Sequence, residues 1–309
     1  MSGVFLIVSI DCECDKGAAW RSQRPLAFEG VNEGIRNRLQ PLFDRFGAKP
    51  TYLLSPEVMR DEKSVELLAS FGSRAELGTH LHGEYAEPGA FEPEVTTVFQ
   101  RDYPREVEFQ KLQNTTTAFK KAFGYAPKSF RAGRFGIGPN SLGILEELGY
   151  AVDSSVTPSL HWGGGTDAAF DFERASTQPY HPDPAAPADL GTSKILEVPI
   201  TIRPRFLGRF PIIGKHVEGR WLRPTRGTAS ALLGVARDEV RQARRTSVDR
   251  PVILNAMFHN VEIIPNGSPY AATEGQARAI LERLGTLLEL ARSAEMKFVG
   301  LSDVVELVS

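Results

Sequence analysis

Short apolar runs alternate with longer segments of helical periodicity along most of this chain. The run Val4–Ile10 is almost entirely apolar, which is typical of a strand buried on both faces. Further strands are predicted at Thr51–Leu54, Ala75–Thr79, Ser129–Ala132, Tyr150–Val156, Ile195–Ile202, Pro251–Phe258 and Lys297–Gly300. Helices are predicted at Arg36–Phe46, from Ser55 to Phe71, and at Pro104–Phe123, Pro139–Leu148, Thr228–Arg245, Thr273–Ala291 and Ser302–Val308. Strands that alternate with helices indicate parallel strands joined by helical crossovers.

This alternation predicts an α/β fold, specifically a distorted (β/α) barrel of about seven parallel strands. We expect a single domain over residues 1–309, with loop insertions near 83–103 and 157–223. The segment 157–193 is rich in Pro, Gly, Ala and Asp, a composition typical of a long loop. Since no Gly-rich nucleotide-binding fingerprint follows any predicted strand, no nucleotide cofactor is expected.

The composition excludes several classes of protein. Hydrophobic residues make up 41% of the 309 residues and charged residues 24%, which is ordinary for a globular protein. A net charge of -2 predicts no bulk electrostatic binding to nucleic acid or to an acidic membrane. The early apolar run Val4–Val8 is too short to span a bilayer and lacks the features of a signal peptide, so the predicted location is the cytoplasm.

Polar side chains that can do chemistry follow several of the predicted strands. In parallel α/β folds, functional sites gather at the carboxyl ends of the strands, so we expect these residues to converge on one rim. They are Asp11, Glu13, Asp15, His80, His82, Glu84, Arg131, Asp153, His259 and Glu262. Taken singly, Arg131, Asp153 and His259 are equally compatible with structural roles.

The spacing of the first two groups predicts a metal site. In an extended strand, the period of two places Asp11, Glu13 and Asp15 on one face and the two cysteines on the other. Crowded carboxylates repel one another and are best tolerated beside a cation or a metal ion. The extended His80-x-His82 pair likewise directs both imidazoles to one side, within reach of one ion.

The two cysteines, Cys12 and Cys14, cannot build a disulfide scaffold, and we expect them to be small buried apolar groups. The alternative is a redox or zinc-storage protein that uses this Cys-x-Cys pair.

Five segments resemble, in order, the motifs of the polysaccharide deacetylase superfamily, of the carbohydrate esterase family four type. They are Phe5–Asp15 (FLIVSIDCECD), Glu76–His82 (ELGTHLH), Phe130–Gly136 (FRAGRFG), Leu148–Ser155 (LGYAVDSS) and Leu254–His259 (LNAMFH). The resemblance covers most of the chain. It implies a distorted barrel, a divalent metal cofactor that is usually zinc, and hydrolysis of N-acetyl groups.

The resemblance also implies a set of metal ligands. The carboxylate ligand matches Glu13, because cysteine occupies the position that the commonest members use. The first histidine ligand matches His80. Glu84 stands where the family has its second histidine, so His82 is the expected replacement, and Glu84 and Asp15 are further candidates.

The catalytic roles follow the same motifs. Asp11 matches the catalytic base, Arg131 the arginine that orients it, His259 the general acid, and Asp153 the residue that supports this histidine. A metal ion with an open coordination position lowers the pKa of bound water towards about 7, so that the base can activate the water for attack on an amide carbonyl. The general acid then protonates the departing nitrogen.

The expected function is therefore metal-dependent hydrolysis of a non-peptide C–N amide bond, with an N-acylated sugar derivative as the small-molecule or carbohydrate substrate. The alternatives are a hydrolase of a small cyclic amide or ureide and a catalytically inactive carbohydrate-binding barrel. In the long loop, Trp162 could stack on a sugar ring or serve local packing. A basic stretch could hold a phosphate or carboxylate of the substrate, or form a solvated surface; it contains Arg203, Arg205, Arg209, Lys215, Arg220 and Arg223. The oligomeric state stays open.

Overall fold

The computed structural model describes residues 3–22, 24–89, 98–162, 170–204, 219–247 and 249–308. Its strands are β1 (Val4–Cys12), β2 (Thr51–Leu54), β3 (Glu76–Leu81), β4 (Ser129–Ala132), β5 (Val152–Asp153), β6 (His161–Trp162), β7 (Phe170–Asp171), β8 (Pro182–Asp183), β9 (Ala186–Leu190), β10 (Leu196–Glu197), β11 (Ile202–Arg203), β12 (Arg220–Trp221), β13 (Val252–His259) and β14 (Lys297–Phe298). Its α-helices are α1 (Gln40–Phe46), α2 (Glu62–Ala69), α3 (Arg105–Phe123), α4 (Ser141–Leu148), α5 (Ala229–Thr246), α6 (Glu274–Ser293) and α7 (Val304–Val308), and a π-helix, Gly30–Leu39, precedes α1. In these ranges no helix combines the length and the apolar character that crossing a bilayer requires.

Seven strands form one curled parallel sheet in the order β10-β5-β4-β3-β2-β1-β13, and β14 adds to β1, also in parallel. The curl makes a half-barrel with helices around it, which confirms the predicted distorted (β/α) barrel of about seven parallel strands. The division of the chain into one domain over 1–309 stays a prediction.

The two end strands of the sheet, β10 and β13, are linked by the segment that follows β10. The amide of Thr201 donates to the carbonyl of Asn255 at 3.0 Å, and Asn255 Nδ2 donates to the carbonyl of Val198 at 3.2 Å. These bonds satisfy polar groups at the seam, where the half-barrel has no ladder of its own.

Side chains alternate between two apolar layers along β1. Phe5 and Ile7 belong to a cluster inside the curl, together with residues of β2, β5, β10 and β13. Leu6 and Val8 belong to a second cluster on the outside, with residues of α6 such as Leu284. Because both faces of β1 are covered, its sequence is apolar without alternation, as predicted.

The interior of the barrel becomes polar towards the carboxyl ends of the strands. Ser9 Oγ donates to Asn255 Oδ1 at 2.8 Å, and Asn255 Nδ2 donates to Ser154 Oγ at 2.9 Å. The guanidinium of Arg131 donates to Ser9 Oγ at 2.7 Å and to Ser154 Oγ at 3.0 Å. This fully buried network supports the site above it.

One predicted helix start is wrong. Ser55 does not cap a helix, because its hydroxyl donates to the carbonyl of Cys12 at 3.0 Å and to Glu57 Oε1 at 2.6 Å. The helix α2 begins later, where the carboxylate of Asp61 accepts a hydrogen bond from the amide of Ser64 at 2.9 Å. The hydroxyl of Ser55 therefore fixes the end of β2 against β1.

The segment 157–193 is not the continuous loop that its composition predicts. Two short antiparallel ribbons lie within its described part, β6 with β7 and β8 with β9. Tyr180 also pairs with Glu197 of β10, so the second ribbon is attached to the edge of the sheet. Tertiary packing outweighs the turn-rich composition here.

Candidate active site

A cavity of about 900 Å³ opens at the carboxyl ends of β1, β3 and β13. Its lining includes Asp11, Glu13, His80, His82 and His259. These residues come from three segments that are distant in the sequence, and the parallel sheet brings them to one rim, as predicted.

Glu13, His80 and His82 form a compact cluster of buried side chains. Oε1 of Glu13 lies 3.1 Å from Nε2 of His82 and 3.4 Å from Nε2 of His80. One potential ligand atom from each residue lies within 4.8 Å of the others. These are the three residues that the sequence and the family resemblance predict as metal ligands.

The hydrogen bonds behind the two imidazoles fit metal ligation. Nδ1 of His80 faces the carbonyl of Arg131 at 3.0 Å, so this nitrogen carries the proton and Nε2 keeps its lone pair. Nε2 of His80 is buried and has no hydrogen-bond partner among the described residues. Nδ1 of His82 faces Glu84 Oε1 at 3.3 Å in the same manner. Such outer partners are typical of histidines that bind metal through the other nitrogen.

The ligand atoms of Glu13, His80 and His82 indicate which metal ions the site can bind. Two imidazole nitrogens and one carboxylate oxygen suit zinc and related transition ions and leave coordination positions open for substrate. The residues present therefore fit the divalent cofactor that the resemblance implies.

Without a metal ion, the negative charge of Glu13 is compensated by the ammonium of Lys16 and by a proton on His82. Burial raises the pKa of Glu13, but the charges of Lys16 and His82 lower it more, and the pKa ends well below its usual value. Burial lowers the pKa of His82, but Glu13 and Glu84 raise it to about 9. The metal-free site therefore holds an ionised Glu13 beside a protonated His82.

Asp11 is a buried carboxylate held by an arginine. Nη1 of Arg131 donates to Oδ1 of Asp11 at 2.5 Å, and Nε of Arg131 donates to the carbonyl of Ser154 at 2.8 Å. Burial raises the pKa of Asp11, but its interactions with Arg131, and then with His80 and His259, lower it more, and the net pKa lies below the usual value. Asp11 is therefore ionised and oriented, as a general base must be.

His259 stands at the end of β13, in the cavity wall. Nδ1 of His259 lies 2.8 Å from Glu262 Oε1, so its Nε2 is left for the cavity and lies 3.8 Å from Oδ2 of Asp11. Glu262 is fully buried and also accepts hydrogen bonds from Arg223 and Thr225. Burial raises the pKa of Glu262, but Arg223 and His259 lower it below its usual value.

The predicted pairing of Asp153 with His259 is wrong, because Glu262 occupies the position beside Nδ1 of His259. The cause is the alternation of side chains along β5. Val152 belongs to the apolar cluster inside the curl, so Asp153 lies on the opposite face of the strand. The described residues that line the cavity do not include Asp153.

Asp153 instead forms a buried carboxyl pair with Glu197 of the neighbouring strand β10. Asp153 Oδ1 accepts a hydrogen bond from Ser155 Oγ at 2.6 Å, and Glu197 Oε1 accepts one from the amide of Val156 at 3.0 Å. Burial raises the pKa of both carboxyls, and the charge of Asp153 further raises that of Glu197. Of the two carboxyls, Glu197 therefore holds a proton the more firmly. Sequence reasoning missed Glu197, although it lies in the predicted strand Ile195–Ile202.

The two further ligand candidates have other partners. Asp15 accepts hydrogen bonds from the amides of Glu29 and Gly30 at 2.8 and 2.9 Å, at the start of the π-helix. Glu84 accepts from Nη2 of Arg134 at 2.7 Å, and its contact with His82 makes it an outer partner of that imidazole. The alternation that places Asp11 and Glu13 on one side therefore does not extend to Asp15.

The cysteines lie outside the metal cluster. Cys12 belongs to the outer apolar cluster, and Sγ of Cys14 lies 3.5 Å from the hydroxyl of Tyr85. Burial raises the pKa of both thiols, that of Cys14 to about 12. Both are free and buried, in agreement with the predicted structural role and not with thiolate chemistry.

Part of the predicted basic stretch is neutralised inside the fold. Arg203 and Arg220 form ion pairs with Glu239 (3.1 Å) and Asp238 (2.8 Å) of α5, whereas Arg223 lines the active-site cavity. The remaining members, Arg205, Arg209 and Lys215, lie outside the described residues.

Trp162 also lines the cavity, where its indole donates to Thr157 Oγ1 at 2.7 Å and its ring centroid lies 5.4 Å from that of Phe135. Sequence reasoning assigned no role to Lys16, whose ammonium lies 2.9 Å from Oε2 of Glu13. A lysine after a strand ordinarily indicates a solvated surface, so nothing in the sequence distinguished this one.

Solved structures share this fold. One is a protein of Parabacteroides distasonis provisionally assigned as a glycoside hydrolase/deacetylase, with a TM-score of 0.65, 15% identity, and coverage of 99% of this chain and 71% of that chain. Another is a protein of Mycobacterium smegmatis provisionally assigned as a polysaccharide deacetylase, with a TM-score of 0.57, 16% identity, and coverage of 99% and 91%. A branching enzyme of Thermococcus kodakaraensis has a TM-score of 0.53, 13% identity, and coverage of 100% and 72%.

No protein-family model matches the sequence, and no curated protein is detectably similar to it. The chain therefore shares its fold with proteins provisionally assigned as deacetylases and with a branching enzyme, and this likeness shows the fold alone. The activity has to be argued from the site itself.

Proposed function

We propose that this protein is a metal-dependent hydrolase of a non-peptide C–N amide bond, and that it removes the acyl group from an N-acylated sugar derivative. The observation that carries the proposal is the meeting of three groups in one cavity. A metal-ligand cluster, an ionised aspartate and a histidine oriented by a carboxylate meet there: Nε2 of His259 lies 3.8 Å from Oδ2 of Asp11 and 3.7 Å from Oε1 of Glu13.

Glu13, His80 and His82 would hold the ion. A divalent ion bound there supplies Lewis-acid chemistry, which polarises a carbonyl group and makes water more acidic. His80 and His82 are fixed by the carbonyl of Arg131 and the carboxylate of Glu84, so both present a nitrogen to the same point.

Asp11 has the role of general base. Arg131 engages Oδ1, which leaves Oδ2 at the cavity to accept a proton from the attacking water. Because Arg131 holds the pKa of Asp11 below its usual value, the carboxylate is ionised at neutral pH. The hydrogen bonds of Arg131 to Ser9 and Ser154 hold its guanidinium in place, so that it stays beside Asp11 when substrate binds.

His259 has the role of general acid. The carboxylate of Glu262 stabilises the proton on Nδ1, so that Nε2 can deliver its own proton to the departing nitrogen. With 3.8 Å between Nε2 and Oδ2 of Asp11, one atom can lie within hydrogen-bond distance of both side chains. Base and acid therefore act on the same tetrahedral centre.

The cavity also has walls that suit a sugar ring. Trp20, Tyr85, Phe135, Trp162 and Tyr270 line it together with charged residues. Aromatic faces combined with hydrogen-bonding groups are the usual means of binding a ring that has apolar and polar faces. Carbohydrate also fits the polysaccharide deacetylases among the structures that share the fold.

The first test measures metal content and acetate release together. The wild type should bind about one zinc or related ion per chain, and His80→Ala/His82→Ala should lose it. The control is His161→Ala/His181→Ala, which removes two histidines outside the cluster and should retain the metal. Acetate release from N-acetylated sugars should require metal and disappear with chelator.

Two outcomes would reject the proposal. One is a wild type that binds no divalent ion after supplementation, and the other is metal-loaded protein that binds N-acetylated sugars without hydrolysing any. If the protein hydrolyses a small cyclic amide but no N-acetylated sugar, the proposed reaction, hydrolysis of a C–N amide bond, stands. The proposed substrate class is then wrong.

A further inference from the structure

Lys16 is a buried cation in the wall of the active-site cavity. Its side chain is 7% exposed, and its Nζ lies 2.9 Å from Oε2 of Glu13. The ammonium also lies 5.3 Å from the centroid of the Tyr85 ring, which gives it a further favourable contact. Lys16 therefore has a fixed place in the site and is not a solvated lysine.

The contact with Lys16 divides the two oxygens of Glu13 between different partners. Oε1 faces His80 and His82, at 3.4 and 3.1 Å, whereas Oε2 faces the ammonium. Glu13 can therefore offer Oε1 to an ion while Oε2 stays with Lys16. Among the described residues that line the cavity, the other carboxylates are those of Asp11 and Glu84; both are paired with arginines, and neither belongs to the metal cluster.

We propose that Lys16 is a built-in counter-cation of the metal site: it keeps the metal-free site folded by neutralising Glu13, and its fixed positive charge limits the affinity for the divalent ion. This inference rests on the proposed metal centre of Glu13, His80 and His82. Lys16 acts through Glu13, so it is a positioning residue with an electrostatic effect on metal affinity.

The positive charge of Lys16 has two physical effects, one on the affinity for metal and one on the stability of the metal-free protein. A fixed positive charge beside a ligand carboxylate repels an incoming dication and weakens the carboxylate as a donor. Without metal, the same charge compensates a carboxylate that burial would otherwise destabilise. Removal of the charge should therefore tighten metal binding and destabilise the metal-free protein at once.

The experiment compares zinc affinity and thermal stability among variants of the full-length protein. Lys16→Met removes the charge and keeps the length, Lys16→Gln removes it and keeps a hydrogen-bond donor, and Lys16→Arg keeps it. Zinc dissociation constants come from competition with a chromophoric chelator, and Tm is measured with and without zinc. Lys49→Met is the matched control, because it removes a lysine paired with a carboxylate, Asp303, away from the cavity.

We expect the two neutral variants to bind zinc about tenfold more tightly than the wild type, or more. Their metal-free Tm should fall, and the rise of Tm on zinc addition should exceed that of the wild type. Lys16→Arg and Lys49→Met should keep the wild-type zinc affinity. If Lys16→Met does not fold without metal, the zinc affinity and Tm of Lys16→Gln are compared with those of the wild type instead.

Equal or weaker zinc binding by both neutral variants would overturn the role of Lys16, because a merely structural lysine loosens the site when it is removed. In that case the wild type still binds zinc and the proposed function stands. If the wild type itself binds no zinc, the metal centre and the inference that rests on it both fail.

Discussion

Asp11 and His259 are register partners on the adjacent parallel strands β1 and β13, with Oδ2 and Nε2 3.8 Å apart. The ladder pairs eight successive residues of the two strands, from Val4 with Val252 to this last pair. Backbone pairing therefore fixes the distance between the proposed base and the proposed acid. Because a slip of one residue would turn one of the two side chains to the other face, the register protects the site.

Asp11→Asn should lower the rate of amide hydrolysis by about 10²- to 10⁴-fold, the usual range for loss of a general base. The amide keeps an acceptor for Arg131 but cannot take up a proton. Zinc content should stay unchanged, since Asp11 is not a member of the ligand cluster. The matched control is Asp15→Asn, which changes a carboxylate of the same segment outside the site. Retention of full activity by Asp11→Asn would assign the base to another group.

Glu262→Gln should impair substrates that need a proton on the leaving group more than those that do not. Hydrolysis of an N-acetylated sugar should fall at least about tenfold more than hydrolysis of an activated aryl acetate. Asp153→Asn should leave this ratio unchanged, because Asp153 contacts Ser155 and Glu197 and not His259. A selective loss in Asp153→Asn, with Glu262→Gln unaffected, would restore the role that the family resemblance implied for Asp153.

Glu197→Gln should become more stable relative to the wild type as the pH rises. Burial and the charge of Asp153 raise the pKa of Glu197 in the folded protein, so the folded state binds more protons than the unfolded state. The stability from this proton is complete below the unfolded pKa and is lost as the pH rises towards the folded pKa, with a slope of at most about 1.4 kcal/mol per pH unit. Urea unfolding of both proteins between about pH 5 and pH 8 measures the difference. A difference that does not change with pH would show that Glu197 is ionised throughout.

Lys111→Met should destabilise the fold by about 3 kcal/mol. The ammonium of Lys111 on α3 donates to the carbonyls of Gly83, Ala86 and Pro88, at 2.8, 2.7 and 2.6 Å. These carbonyls belong to the segment that follows the histidine ligands, and the variant removes the ammonium donor that all three share. Urea unfolding measures the loss, with the exposed Lys128→Met as the control. Equal stabilities of the two variants would mean that water replaces the ammonium without cost.

The sequence was sufficient to predict the features that depend on local periodicity. The apolar runs located the strands of the sheet, and the period of two placed Asp11 and Glu13 on one face and His80 with His82 on one side. The same rule failed for Asp15, because β1 ends at Cys12 and the chain then turns to cap the π-helix. Alternation holds only while the strand continues.

Features that depend on long-range pairing could not be predicted from the sequence. Glu262 follows His259 by only three residues, yet the family resemblance favoured Asp153, whose side chain the alternation of β5 turns away. No pattern in the sequence indicates that Lys16 is buried, since a lysine after a strand is ordinarily solvated. Both residues acquire their roles from neighbours that the fold brings to them.

The network of Ser9, Arg131, Ser154 and Asn255 has a consequence for synthesis of the chain. Its bonds join residues that are 122 and 246 positions apart, and the last member, Asn255, lies within β13. Arg131 orients the proposed base, Asp11. During translation, the two serines that hold Arg131 therefore lack their bonds to Asn255 until residue 255 has left the ribosome. A fragment that ends before β13 contains Asp11, Glu13, His80 and His82 but not the wall that holds them in register. The active site is for this reason a property of the completed chain, and truncation from the carboxyl end should abolish it as a whole.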